Sequence, residues 1–76
     1  MKELLLYIAK NLVQNPDQVS VTEIEGEDEL TLELRVAPED MGKVIGRQGR
    51  IAKEIRTLIR AHAQRAGVKV SVDIID

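Results

Sequence analysis

The residues best suited to binding a ligand form a short run in the second half of the chain, Gly46-Arg47-Gln48-Gly49. Glycine permits backbone turns with positive φ and lets a ligand approach the main chain closely. A helix that begins at Gly49 would point its unpaired N–H groups and the positive end of its dipole into this turn. The expected ligand is therefore an anion such as a phosphate. Arg47, Arg50 and Lys53 add positive charge on the same side.

The spacing of the glycines excludes two other phosphate-binding motifs. Gly46 is followed by Arg47 and Gln48 rather than by the residues that complete a P-loop. Gly42, Gly46 and Gly49 are spaced four and three apart, which does not match the Gly-x-Gly-x-x-Gly of a dinucleotide-binding turn. A Gly-x-x-Gly pair also occurs as a tight turn between two helices with no ligand, and this structural interpretation is the alternative.

Charge is strongly segregated along the chain although the net charge is only −2. Residues 16–40 contain nine acidic residues and one basic residue, a balance of −8. Residues 41–65 contain seven basic residues and one acidic residue, a balance of +6. Because the local field decides whether a phosphate binds, the acidic total does not exclude a nucleic-acid partner.

The residue types needed for catalysis or metal binding are scarce. The chain has no cysteine and one histidine, His62, so it cannot assemble a soft-metal site. Ser20 and Ser71 are predicted to lie in strands without an activating base. The acidic residues fall at exposed strand and loop positions with no apolar pocket to raise a pKa. We therefore expect no enzymatic activity and no cofactor, and we expect His62 to be packed or at an interface.

Length and composition predict one small domain covering residues 1–76. The absence of cysteine is compatible with a reducing compartment. The apolar run from Leu4 to Ala9 is too short for a signal-peptide core or a membrane span, and it fits one face of an amphipathic helix. We expect a cytoplasmic protein.

Hydrophobic periodicity predicts three helices and three strands in the order α-β-β-α-α-β. Asn15-Pro16-Asp17 ends the first helix, and Gly26-Glu27-Asp28 forms an acidic turn between the first two strands. The alternation of the first strand slips near Ile24, whereas the second strand alternates cleanly. The predicted elements after the first helix are a strand at 19–25, a strand at 30–36, a short helix at 39–45, a long helix at 49–66 and a strand at 68–74.

This order, with the Gly-x-x-Gly turn between the second and third helices, resembles the type II (bacterial) K-homology (KH) fold. The resemblance covers the whole chain. The Val-Ala-Pro-Glu-Asp segment at 36–40 and the Gly-Lys-Val-Ile-Gly motif at 42–46 are similar to those of the KhpA family of small single-KH bacterial RNA-binding proteins. The resemblance implies an α+β fold in which three helices cover one face of a three-stranded mixed sheet. It also implies binding of single-stranded RNA with low sequence specificity, in RNA metabolism or post-transcriptional regulation as an RNA chaperone-like protein.

The residues expected to bind RNA lie in and around the loop: Lys43, Val44, Ile45, Gly46, Arg47, Gln48, Gly49, Arg50 and Lys53. By resemblance, the bases would occupy an aliphatic groove with Val44 and Ile45 on one wall and Leu34 and Val36 near the other. The chain has no Phe or Trp, and its single tyrosine, Tyr7, is expected in the core. Stacking of bases on aromatic side chains is therefore not expected.

The faces of the long helix are predicted from a rotation of about 100° per residue. The stripe expected to face the sheet consists of Ile51, Ile55, Leu58, Ile59 and His62. Arg56 and Arg60 fall on the opposite side and are expected to be solvated. Small residues widen the apolar arc to roughly 140°, more than the roughly 100° that a core-facing stripe needs.

The wider arc supports a second hypothesis, a protein-interaction module whose glycine turn is mainly structural. Such a module would form a homodimer or a heterodimer with a second KH-domain protein, as KhpA-like proteins are thought to do. The flank expected to contribute comprises Ile59, His62, Ala63 and Ala66. The same small residues would alternatively let the helix lie close to its own sheet.

Overall fold

The computed structural model describes residues 1–75, in which three helices pack on a three-stranded sheet. The elements are α1 (Lys2–Leu12), β1 (Ser20–Glu25), β2 (Leu30–Arg35), α2 (Met41–Ile45), α3 (Arg50–Ala66) and β3 (Val70–Ile75). Their order confirms the predicted α-β-β-α-α-β fold, and their bounds differ from the predicted ones by one or two residues. Asp76, the last residue of the predicted domain, lies outside the described residues.

The sheet is mixed, with β2 in the centre. β1 pairs with β2 antiparallel, with Val21 opposite Leu34, and β3 pairs with β2 parallel, with Val72 opposite Leu32. This register explains why the apolar–polar alternation of β1 breaks near Ile24. Ile24 lies opposite Thr31 on the face away from the helices and is exposed.

The hydrophobic core lies between the helices and one face of the sheet. Its largest fully buried apolar side chains come from four elements: Leu5, Leu32, Leu34, Val44 and Ile59. Burying an aliphatic side chain of this size contributes about 1.5–3 kcal/mol. These residues therefore hold α1, α2 and α3 to the sheet.

The buried face of α3 differs from the predicted stripe. Ile55 and Ile59 are buried as expected and Ile51 is half-buried, but Leu58 is 56% exposed and His62 is exposed as well. Their predicted places are taken by Ala52 and Ala63. Small side chains there let the helix lie close to the sheet. The buried arc of α3 is therefore rotated about the helix axis by roughly 60° from the predicted arc.

Two further side chains lie elsewhere than predicted. Tyr7 is 69% exposed on α1 and is not a core residue. Arg56 is half-buried, and its Nε donates a hydrogen bond to the main-chain oxygen of Val72 at 3.1 Å. β3 is an edge strand, so this contact covers part of an edge that would otherwise be open to pairing. Arg60 is exposed, as predicted.

No helix within residues 1–75 combines the length and the apolar character needed to cross a membrane.

Candidate nucleic-acid interface

The loop between α2 and α3 contains three residues with positive φ, which helical geometry does not use. α2 ends at Ile45, and Gly46 leaves it with φ 76° and ψ 175°. A single 3₁₀ turn follows over Arg47–Gly49, in which Gln48 has φ 58° and Gly49 has φ 73°. α3 begins at Arg50, one residue after the predicted start. The loop therefore leads directly into the N-terminus of a 17-residue helix, whose dipole favours an anion there.

The two glycines are required for different reasons. A Cβ atom on Gly46 would lie 2.6 Å from Cγ1 of Ile51, so the side chain of Ile51 packs directly beneath the loop. A Cβ atom on Gly49 would meet nothing within 4 Å, and only its positive φ favours glycine. Position 46 thus requires glycine because of both limited space and backbone conformation, whereas position 49 favours glycine because of backbone conformation alone.

The polar side chains of the loop face solvent. Arg47, Gln48, Arg50 and Lys53 are exposed. Within residues 1–75 the ion pairs are Arg35 with Glu33 and Lys43 with Asp40, so Arg47, Arg50 and Lys53 form no ion pair with a carboxylate there. The structure brings three unpaired cations and a helix N-terminus together at one surface.

The walls of the predicted aliphatic groove are only partly accessible. Val44 and Leu34 are fully buried in the core, so Val44 can reach a ligand only through its main chain. Ile45 is 36% exposed and Val36 is half-buried. The apolar surface available beside the loop is therefore narrower than the sequence predicted.

Asp40 is a buried residue of this region that sequence reasoning did not single out. Its Oδ2 accepts hydrogen bonds from the main-chain N–H and the side-chain Nδ2 of Asn15, both at 3.0 Å, and its Oδ1 accepts one from the N–H of Gln14 at 3.2 Å. Lys43 Nζ lies 3.6 Å from Oδ1. Burial acts to raise the pKa of Asp40, but the hydrogen bonds from Asn15 and Gln14, with the charge of Lys43, hold this pKa below its usual value. The pattern of acidic residues near Pro38 suggested only a helix start, because the partners of Asp40 lie 25 and 26 residues away along the chain.

A shallow apolar groove runs between α1 and α3 on the side where α3 is rotated away from the sheet. Ile8, Leu12, Ile51 and Leu58 line it, and its volume is about 270 Å³. The predicted self-association flank is wrong in part, because Ile59 and Ala63 belong to the protein's own core. The exposed apolar surface of α3 is centred on Leu58 instead.

The fold and the positive-φ loop between α2 and α3 define a KH domain. Residues 2–74 match the family described as KhpA/KhpB, KH domain. The chain is 61% identical over 75 residues to the RNA-binding protein KhpA of Clostridium acetobutylicum, covering 99% of this chain and 100% of that protein. It is 47% identical over 76 residues to the RNA-binding protein KhpA of Aquifex aeolicus, covering 100% of this chain and 96% of that protein. The chain belongs to the KhpA/KhpB family of KH domains, which is not a family of enzymes.

Solved structures of Era contain a similar fold. Era of Aquifex aeolicus bound to GDP and aluminium fluoride matches with a TM-score of 0.67 and 22% identity, over 96% of this chain. Era in complex with a magnesium-bound GTP analogue and a segment of 16S ribosomal RNA matches with a TM-score of 0.68 and 22% identity, also over 96% of this chain. The chain spans 28% of each solved chain, and the likeness concerns the fold.

Proposed function

We propose that this chain binds single-stranded RNA at the Gly46–Gly49 loop, with low sequence specificity and without catalysis. The observation that carries the proposal is the cluster of cations at the loop and the N-terminus of α3, where Arg47, Arg50 and Lys53 form no ion pair with a carboxylate of residues 1–75. The RNA backbone would lie against the loop, and the bases would lie toward Ile45 and Val36. The names of the KhpA relatives support RNA as the ligand.

The remaining parts of the proposal follow from an RNA ligand. Residues 1–76 would act as a single KH domain in the cytoplasm, in RNA metabolism or post-transcriptional regulation of the chaperone type. Lys43, Val44, Ile45, Gln48 and the two glycines complete the binding surface, Val44 through its main chain. Lys43 forms an ion pair with Asp40, so we expect it to contribute less to RNA affinity than Arg47 or Arg50.

The test reverses the charge of the loop while preserving its conformation. Arg47→Asp with Gln48→Asp places two carboxylates where a phosphate is expected, and aspartate tolerates the positive φ of position 48 better than most residues. Both side chains are exposed, so the cost in folding free energy should be small. We expect binding of a short single-stranded RNA, measured by fluorescence anisotropy, to be lost while the circular dichroism spectrum stays native.

A matched control makes the same chemical changes elsewhere on α3. Arg60→Asp with Gln64→Asp alters the net charge equally, and both residues are exposed far along the helix from the loop. This variant should keep most of the affinity. Undiminished binding by the loop variant, or equal loss by the two variants, contradicts the proposed site.

A second candidate function is self-association or pairing with another KH protein, and the α1–α3 groove favours it. Leu12 and Leu58 are exposed side by side with Ile8 and Ile51 in one apolar surface. A dimer would also place two RNA-binding loops in one particle, which raises affinity through effective concentration.

The oligomeric state tests this second candidate. We expect light scattering at high micromolar concentration to give a dimer for the wild type and a folded monomer for Leu58→Glu. Thr57→Glu adds the same charge to an exposed neighbour outside the groove and should remain dimeric. A monomeric wild type contradicts the hypothesis. Ala63→Arg should destabilise the fold itself, because Ala63 is buried against the sheet.

A further inference from the structure

The position of the loop depends on α2, a helix that is too short to be stable by itself. α2 has five residues, far fewer than an isolated helix needs to be stable in water. Among the described residues no side chain caps its N-terminus, and its main contribution to the core is Val44. Gly46 follows directly and donates its N–H to the main-chain oxygen of Gly42 at 2.9 Å. Whatever fixes α2 therefore also fixes the first residue of the loop.

Asp40 supplies a second, polar attachment for α2. It occupies the N-cap position of α2, yet its carboxylate makes no bond to that helix's own N–H groups. The carboxylate instead accepts three hydrogen bonds from Gln14 and Asn15, in the segment between α1 and β1. Its side chain is completely buried, and no buried side-chain polar atom of the described residues lacks a partner. Loss of any one of these hydrogen bonds should destabilise the local structure, because it would leave a buried donor or acceptor without a partner and without access to water.

We propose that Asp40 is a positioning residue for RNA binding, which anchors α2 to the segment between α1 and β1 and thereby holds the Gly46–Gly49 loop ready for a phosphate backbone. The proposal rests on the function proposed above and deepens it. Asp40 does not touch the ligand. It acts by reducing the conformational freedom that the loop would otherwise lose on binding. Through Lys43 Nζ, 3.6 Å away, it also restrains one cation of the binding surface.

The sign of the effect on RNA affinity separates positioning from simple electrostatics. Removing a negative charge near a phosphate site should strengthen RNA binding if charge alone matters. Loss of the anchor should weaken it instead. Asp40→Asn removes the charge and replaces one acceptor oxygen with an NH2 donor, which would face an N–H donor of Gln14 or of Asn15. Glu39→Gln is the matched control, because Glu39 is the adjacent acidic residue and is exposed.

The binding experiment compares the two variants at a temperature where circular dichroism shows both to be folded. We expect Asp40→Asn to raise the dissociation constant for a short single-stranded RNA about tenfold, and Glu39→Gln to leave it unchanged or lower it. An Asp40→Asn protein that binds RNA as well as the wild type, or better, overturns the proposal.

Amide hydrogen exchange tests the anchor without RNA. In Asp40→Asn we expect the Gly46 amide to exchange about tenfold faster relative to the Leu32 amide of the central strand, as local opening predicts. Equal acceleration of both amides would show a purely global role, and an unprotected Gly46 amide in the wild type would show that the loop is not held. Either result overturns the proposal. If the wild type fails to bind RNA while its Gly46 amide exchanges as expected, the proposed function is refuted. The contact between Asp40 and the segment between α1 and β1 then has a structural role only.

A milder variant serves if Asp40→Asn does not fold. Asn15→Ala removes only the 3.0 Å bond from Nδ2 and leaves the carboxylate and its main-chain donors in place. It should show the same two effects at smaller size, weaker RNA binding and selectively faster exchange at Gly46. An unchanged RNA affinity together with unchanged exchange at Gly46 counts against the anchor.

Discussion

Gly46 and Gly49 differ in how much each restricts the loop, and this difference is measurable. Gly49, at φ 73° and ψ 15°, is in the left-handed region, where alanine is strained by about 1 kcal/mol. Gly46, at φ 76° and ψ 175°, is in a region that essentially only glycine enters, and it faces the side chain of Ile51. We expect Gly49→Ala to lower the free energy of unfolding by about 1 kcal/mol and Gly46→Ala by about 3 kcal/mol. Urea denaturation measures both.

A double variant identifies the steric part of the Gly46 effect. Ile51→Ala removes the Cγ1 and Cδ1 atoms that lie within 3 Å of the Cβ position. The loss caused by Gly46→Ala should then be smaller in the Ile51→Ala background than in the wild type. Equal losses in both backgrounds would show that Ile51 does not restrict this position.

Acid destabilisation should depend on Asp40. Its pKa in the folded state is below the unfolded value of about 3.9, so its contribution to stability is fully present above that value and is lost as the pH falls through the folded-state pKa. We expect the free energy of unfolding, measured by urea denaturation, to decline below about pH 4 in the wild type and less steeply in Asp40→Asn. An Asp40→Asn curve parallel to that of the wild type would contradict this assignment.

At the scale of elements, α3 shows what a helical pattern leaves undetermined. The length and limits of the helix follow from apolar periodicity and from Gly49 and Gly67, both at positive φ at its ends. Its rotation does not, because the wide apolar arc allowed either Leu58 or Ala63 to face the sheet. The small side chains face the sheet because they permit a closer approach and denser packing there.

The same limit explains which part of the candidate binding region was predictable. The Gly-x-x-Gly pattern locates the loop, because positive φ and helix initiation are local requirements written in adjacent residues. The anchor at Asp40 was not predictable, because its hydrogen bonds join segments far apart in sequence and an acidic residue after Pro38 is equally typical of a helix start. Arg56 was misplaced for the same reason, since its partner lies on β3.

Two truncations on α3 test the observed rotation. Ile59→Ala should lower the free energy of unfolding by about 2–5 kcal/mol, because Ile59 is fully buried in the core. Leu58→Ala should cost less than about 1 kcal/mol, because that side chain is more than half exposed. Thermal or urea denaturation at a protein concentration that favours the monomer gives both values. Similar losses for the two variants would indicate that the predicted stripe, with Leu58 facing the sheet, is correct.

At the scale of the whole molecule, the charge segregation seen in the sequence becomes a separation in space. The acidic turn between β1 and β2 lies in an open cleft with Gly67, Val68 and Lys69, just beyond the C-terminal end of α3. The Gly46–Gly49 loop lies at the other end of this 17-residue helix, which is about 25 Å long. Salt screens charges over about 8 Å under physiological conditions. The acidic cleft therefore leaves the field at the loop largely intact, which reconciles a net charge of −2 with an RNA ligand.

The salt dependence of RNA binding should reflect this separation. If Arg47, Arg50 and Lys53 each neutralise about one phosphate, the logarithm of the affinity should fall with the logarithm of salt concentration at a slope of about −2, since a single strand contributes roughly 0.7 per phosphate. Lys53→Gln should reduce the slope by about 0.7, whereas Glu27→Gln with Glu29→Gln in the acidic cleft should leave the affinity at 0.15 M salt (about physiological) unchanged. Single strands should bind more tightly than duplexes, because bases must be splayed to enter a narrow groove. A much steeper slope with a preference for double-stranded RNA would indicate instead that the exposed cations farther along α3, such as Arg60, bind the backbone nonspecifically.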